Sequence, residues 1–75
     1  RGDNMIQVNV SELRGEIAKN GYSLRGFAKK SEISVSYLSA IVNKKANPSP
    51  KMASHISKEL NVPMENLFTY IQKEA

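Results

Sequence analysis

One arrangement of polar and apolar residues recurs along the chain. A hydrophobe precedes a small polar residue able to cap a helix, and a second hydrophobe follows four positions after the cap. This is a hydrophobic staple closed around an N-cap, and it marks a helix start. It occurs first at Val8, Asn9 and Leu13. Asn9 is the expected cap, and Glu12 at the third helical position completes a capping box. Leu13 and Ile17 share one face beside Val10, and Gly21 can stop the helix in the left-handed conformation. These signals predict a first helix over 10–20. The second occurrence is Tyr22, Ser23 and Phe27, predicting a helix over 24–30. There Leu24, Phe27 and Ala28 face inward and Arg25, Lys29 and Lys30 face out. Gly26 inside this helix costs roughly 1 kcal/mol relative to alanine, and the sequence offers no reason for it.

The third occurrence, Ile33, Ser34 and Leu38, predicts a helix over 35–42 with Leu38, Ile41 and Val42 as its apolar side. Asn43 to Pro48 is then a polar, basic loop. Ser49 caps a fourth helix over 50–60, and Pro50 takes the first helical position, where a missing N–H does no harm. Met52, Ala53, Ile56 and Leu60 follow at helical spacing. Asn61 can end that helix. Val62-Pro63 opens a fifth over 64–73, with Leu67, Phe68 and Ile71 on its apolar side. Nothing reads as a strand. Residues 1–8 are expected to be an irregular leader, with Met5 the expected natural start, and residues 9–75 the folded domain. Five short helices on short loops imply a compact, all-α domain.

Only Ser31 to Ser34 separate the second helix from the third. That connection suits two helices crossing steeply, as in a helix-turn-helix. Ala28 lets the third helix approach closely, Ile33 plugs the turn, and Leu38 and Ile41 anchor the third helix. Val35, Ser36 and Ser39 are left exposed, with Tyr37 and Ala40 at the margin.

Composition narrows the chemistry. A length of 75 residues fits one domain. The chain has no cysteine, which excludes disulfides and thiolate metal sites and fits a reducing compartment. His55 is the one histidine and cannot build a zinc site by itself. Beside an apolar stripe, it reads as a structural residue. No cofactor is implied, and no nucleophile is fixed beside a base, so an enzyme is not expected. No apolar run is long enough for a membrane span or a secretory segment. The formal net charge is +4, unevenly spread. Residues 17–51 carry Lys19, Arg25, Lys29, Lys30, Lys44, Lys45 and Lys51 against Glu32 alone. Positive charge gathered in the middle of the chain is the footprint a polyanion would require.

The stretch from Gly21 to Pro50, GYSLRGFAKKSEISVSYLSAIVNKKANPSP, resembles the helix-turn-helix core of the Cro/cI-type (Xre) repressors of bacteria and phages. The resemblance is carried by Phe27-Ala28, Ile33-Ser34, Leu38-Ser39, Ile41 and Asn47-Pro48-Ser49, with LNVPMENLF, Leu60 to Phe68, resembling the closing segment. It covers residues 10–70. Leu24 stands where the family often has Gln, Glu32 where the turn often has Gly, and Val42 and Lys44 where an acidic residue and Gly are common. The resemblance implies a five-helix domain of the lambda-repressor-like type that inserts helix 35–42 into the major groove of a double-stranded DNA operator, probing base edges with Val35, Ser36, Tyr37, Ser39 and Ala40. It implies phosphate contacts from Ser23, Arg25, Ser34, Asn43, Lys44 and Lys45. It also implies a homodimeric transcriptional regulator, a repressor, in the bacterial cytoplasm and on the nucleoid when bound. Helix 35–42 carries no Arg, Gln or Asn for a bidentate base contact, so direct readout is expected to be modest. The same weakness supports a rival expectation, a protein-interaction module of this fold that docks a regulatory partner, with DNA binding secondary.

Overall fold

The computed structural model describes residues 3–73, with side chains over residues 6–70. The order of elements is β1 (Asp3–Val8), α1 (Val10–Lys19), α2 (Leu24–Ser31), α3 (Val35–Val42), α4 (Pro50–Leu60), α5 (Met64–Leu67) and β2 (Phe68–Lys73). Helices of eight to eleven residues, such as α2, α3 and α4, are too short to persist alone. Closed ends and a shared core must hold them.

The N-terminal ends of α2, α3 and α4 are closed by serines. Ser23 Oγ accepts from Gly26 N–H at 3.0 Å, Ser34 Oγ from Tyr37 N–H at 3.1 Å and Ser49 Oγ from Met52 N–H at 3.1 Å. Each such cap contributes about 1 kcal/mol. The C-terminal ends of α1 to α4 close alike. A left-handed residue follows each: Gly21 at φ 82°, Glu32 at 61°, Lys44 at 60° and Asn61 at 60°. At each, paired backbone bonds turn back onto the last carbonyls, as in Tyr22 N–H to Ile17 O at 3.1 Å and Ile33 N–H to Ala28 O at 2.9 Å. These are Schellman closures, which satisfy carbonyls that a helix end leaves bare.

Leu13, Phe27, Leu38, Ile41, Ala53, Ile56 and Leu67 are fully buried and form the centre of one core. Helix α2 packs on α3 and α4, and α5 joins α1 to α4. The fold is mostly helical, with the five expected helices present among the described residues.

The ends of the chain depart from expectation. Asp3–Val8 is not an irregular leader but a strand. The expected helix over 64–73 stops at Leu67, and Phe68 turns extended at φ −137°, ψ 144°. Phe68–Lys73 pairs antiparallel with β1, in the register Val8 with Phe68 and Asp3 with Lys73. The physical reason is visible in the residues. Phe68, Thr69, Tyr70 and Ile71 all favour the pleated surface of a sheet, and Ile6 and Val8 alternate with Gln7 so that one face of β1 is buried. Ile71 belongs to β2, and its side chain lies outside the described residues. Asn9 is also corrected: its side chain makes no cap bond. Its N–H, which Glu12 would have taken in a capping box, instead donates to Leu67 O at 2.8 Å.

Because Ile6 belongs to the core, Ile6→Ala should lower the unfolding free energy by about 2–5 kcal/mol. Gln7→Ala, one residue away on the exposed face, should stay within about 0.5 kcal/mol of the original. Urea denaturation followed by circular dichroism measures both, and equal effects would return β1 to the status of a leader.

Candidate nucleic-acid interface

Helix α2 begins with an exposed, cationic turn. Tyr22 and Phe27 form the staple, their ring centroids 5.8 Å apart and tilted by 55°. Between them Ser23 accepts the Gly26 N–H, which leaves its own O–H free to donate outward. Gly26 now has an explanation. A Cβ there would come 3.2 Å from Ser23 Oγ, so glycine gives the cap room to close. Arg25 is exposed on this first turn. Lys30, by contrast, reaches Glu59 on α4 at 3.4 Å, a surface pair of small energetic weight.

The turn into α3 is fixed from several sides. Ser31 is buried, and its Oγ donates to Phe27 O at 2.6 Å. His55 Nε2 on α4 donates to Ser31 O at 2.7 Å, engaging one of the end carbonyls of α2. The sequence placed His55 as structural and had no signal for this partner, which lies 24 residues away. Glu32 then takes the left-handed conformation, and Ile33 enters the core.

Helix α3 separates cleanly into two faces. Leu38, Ile41 and Val42 are buried. Ser36, Ser39, Ala40 and Asn43 recur at the three- and four-residue spacing that shares one stripe of a helix. Ser36 is exposed, Val35 is 38% exposed, and Tyr37, Ser39 and Ala40 are half-buried. Ser34 Oγ accepts from Tyr37 N–H, and its O–H remains able to donate. At the other end, Asn43 Nδ2 donates to Ser39 O at 2.9 Å and to Ser39 Oγ at 3.3 Å. Two consequences follow. The Asn43 amide is oriented onto the helix end by these contacts, and the side chain itself stays exposed. Ser39 Oγ, held as an acceptor, presents its O–H as a donor, the polarity that suits guanine N7 and O6, adenine N7 or thymine O4.

Lys44 and Lys45 follow α3 directly and are both exposed. Lys45 N–H donates to Ala40 O at 2.8 Å, so the backbone carrying the two cations is fixed onto the helix. Beside Lys44 lies a cleft of about 180 Å³, lined among the described residues by Gln7, Val8, Lys44 and Asn47. The structure thus gathers Ser34, Val35 and Ser36 at the start of α3 and Lys44 and Lys45 at its end, while Ser23 and Arg25 lie at the start of the neighbouring helix.

A helix-turn-helix family model matches residues 12–67, from the first turn of α1 to the end of α5. The chain belongs to the Cro/cI-type (Xre) helix-turn-helix family. As a member of that family it is a DNA-binding regulator. No curated protein matches it significantly. Among solved structures it is similar to the crystal structure of a candidate DNA-binding protein from Bacteroides fragilis. That likeness has a TM-score of 0.69 at 22% identity and covers 87% of this chain and all of the other, a likeness of fold. No helix among the described residues is long and apolar enough to cross a membrane.

The departures from the Cro/cI-type pattern acquire a geometry. Glu32 and Lys44 stand where the family commonly has glycine, and both are left-handed. A non-glycine residue there costs about 1 kcal/mol or more. Glu32→Gly should therefore raise stability by about 1 kcal/mol, read as a higher denaturation midpoint with an unchanged m-value. A lower midpoint would mean that Glu32 makes compensating contacts.

Proposed function

We propose that the protein is a sequence-specific transcriptional regulator, a repressor, that binds as a homodimer to a two-fold related operator with α3 in the major groove. The observation that carries this reading is the division of charge on the helix-turn-helix. The exposed face of α3 is small, polar and neutral, while cations stand on the first turn of α2 and immediately after α3. Neutral small side chains permit close approach to base edges, and the flanking cations suit the phosphates on either side. On this reading Ser36 and Ser39 hydrogen-bond to bases. Val35 and Ala40 contact thymine methyl groups, and Tyr37 contributes its edge. Ser23, Arg25, Ser34, Lys44 and Lys45 hold the backbone. One eight-residue helix reads few bases, which makes a pair of half-sites the natural target.

The test is selection of binding sites from random duplex DNA, followed by salt titration of the enriched site. A defined, roughly palindromic sequence whose affinity falls steeply with salt supports the regulator. Failure to enrich any sequence would leave the partner-docking module of the same fold as the better account.

Two substitutions separate the roles. Ser36→Ala should relax discrimination at one position of each half-site by about 1 kcal/mol. Lys44→Gly should weaken all sequences alike and reduce the salt slope by about 1, while raising stability by about 1 kcal/mol through relief of the left-handed backbone. Binding curves against single-base variants of the site, paired with denaturation, read both. A sequence-dependent loss from Lys44→Gly would refute its assignment to phosphate.

A further inference from the structure

We infer that the cleft between the terminal sheet and the turn after α3 is a phosphate-binding site, so that β1 takes part in gripping DNA outside the stretch covered by the reading helix. The inference rests on the DNA-binding reading above and adds Gln7 and Asn47 to it.

The cleft brings together residues forty positions apart in the chain. Its described lining is Lys44, Gln7, Asn47 and Val8, residues that between them carry one ammonium and two carboxamides. Residues that carry an ammonium and two amide groups around one space suit an oxyanion that accepts from several directions, and such groups commonly contact DNA phosphates. Val8 also borders the cleft, with its side chain turned into the core.

The donors are held in place by the fold. Gln7 projects from β1 on the face opposite Ile6 and Val8, which are buried, and is itself exposed. Its backbone is fixed opposite Thr69 in the sheet, and Asn9 N–H anchors the following turn to Leu67 O at 2.8 Å. Asn47 is tied between the α3 closure and the buried Pro48. Lys44 is set by its left-handed backbone and by its N–H bond to Ile41 O at 3.1 Å. A donor whose backbone is already ordered loses less freedom on binding.

Location decides between a phosphate and a base. The cleft adjoins the C-terminal end of α3, whereas base edges are met by the N-terminal part of a reading helix. A duplex seated on α3 brings its backbone, not its base edges, to the turn that carries Lys44. Its contribution is therefore the same for every sequence.

The experiment uses the full chain and a duplex bearing the selected site, with wild type, Gln7→Lys, Gln7→Ala and Asn47→Ala compared across salt concentrations. Gln7 is exposed, and unchanged denaturation midpoints confirm that the variants fold. Gln7→Lys should tighten binding several-fold to the selected site and to unrelated duplex equally, and should steepen the salt slope by about 1. Gln7→Ala and Asn47→Ala should each weaken binding several-fold with the slope unchanged, since neither removes a charge. A single uncharged methylphosphonate scanned along the site should find one position per half-site at which Gln7→Ala costs nothing further. If wild type binds the selected site and these variants match it in affinity and slope, the cleft is not a DNA contact, and the regulator reading stands without it. If wild type enriches and binds no duplex, both readings fall together.

Discussion

The closure of helix ends is the constraint on which this domain depends. Helices of eight residues have nearly as many backbone groups at their ends as inside, so an unclosed end would cost much of what the helix gains. Serine caps at the starts of α2, α3 and α4 and Schellman closures at the ends of α1 to α4 meet that need. The closures also set direction. A left-handed residue reverses the chain within one turn, so Glu32 aims the chain from α2 into α3, and Ile33 and Ala28 pack across that reversal. The steep turn of the helix-turn-helix follows from how α2 ends. His55 strengthens the same point from a third helix by donating to Ser31 O.

The terminal sheet solves a different problem. A small domain buries a modest share of its surface and cannot leave many apolar side chains outside its core. Pairing β1 with β2 brings Ile6, Val8 and Phe68 into that core from opposite ends of the chain. It also fixes α1 at its start, because the ladder continues from Asn9 N–H to Leu67 O. Gln7 is held beside Lys44 by the same pairing, so the sheet and the turn after α3 share one cleft.

Most of the helical fold was legible, because helix signals are local. The bounds of α3 and α4 followed from Ser34, Ser49 and Pro50 together with hydrophobes at fixed offsets, and those signals lie within a few residues of what they specify. Gly21 and Asn61 also declared their left-handed roles through residue type. Glu32 and Lys44 could not, since charged residues have no intrinsic preference for that region; only a family pattern of glycine pointed to them. The strands were illegible for another reason. Leu67, Phe68 and Ile71 fit a helical face as well as a strand, and what decides is the partner strand sixty to seventy residues away. The division of α3 into a buried and an exposed face was legible too. The orientation of the Asn43 amide onto Ser39 was not, because that depends on a rotamer chosen at the helix end.

The two charged left-handed residues bracket α3, one at each end, and their costs fall on the stability of the domain. On the proposed reading the two positions are not equivalent. Lys44 sets a cation at the point where the chain leaves the helix and the duplex backbone passes, so its charge gains in binding what its backbone loses in folding. A glycine there would relax the turn and remove the cation. Glu32 lies at the opposite turn, ahead of the cap Ser34, where a carboxylate near an approaching phosphate opposes binding. It is also the one acid in the basic middle of the chain. On the proposed reading the neutral face of α3 meets the bases between Arg25 on the first turn of α2 and Lys44 and Lys45 after α3, and the fit of the groove to small side chains contributes to recognition along with the hydrogen bonds of Ser36 and Ser39.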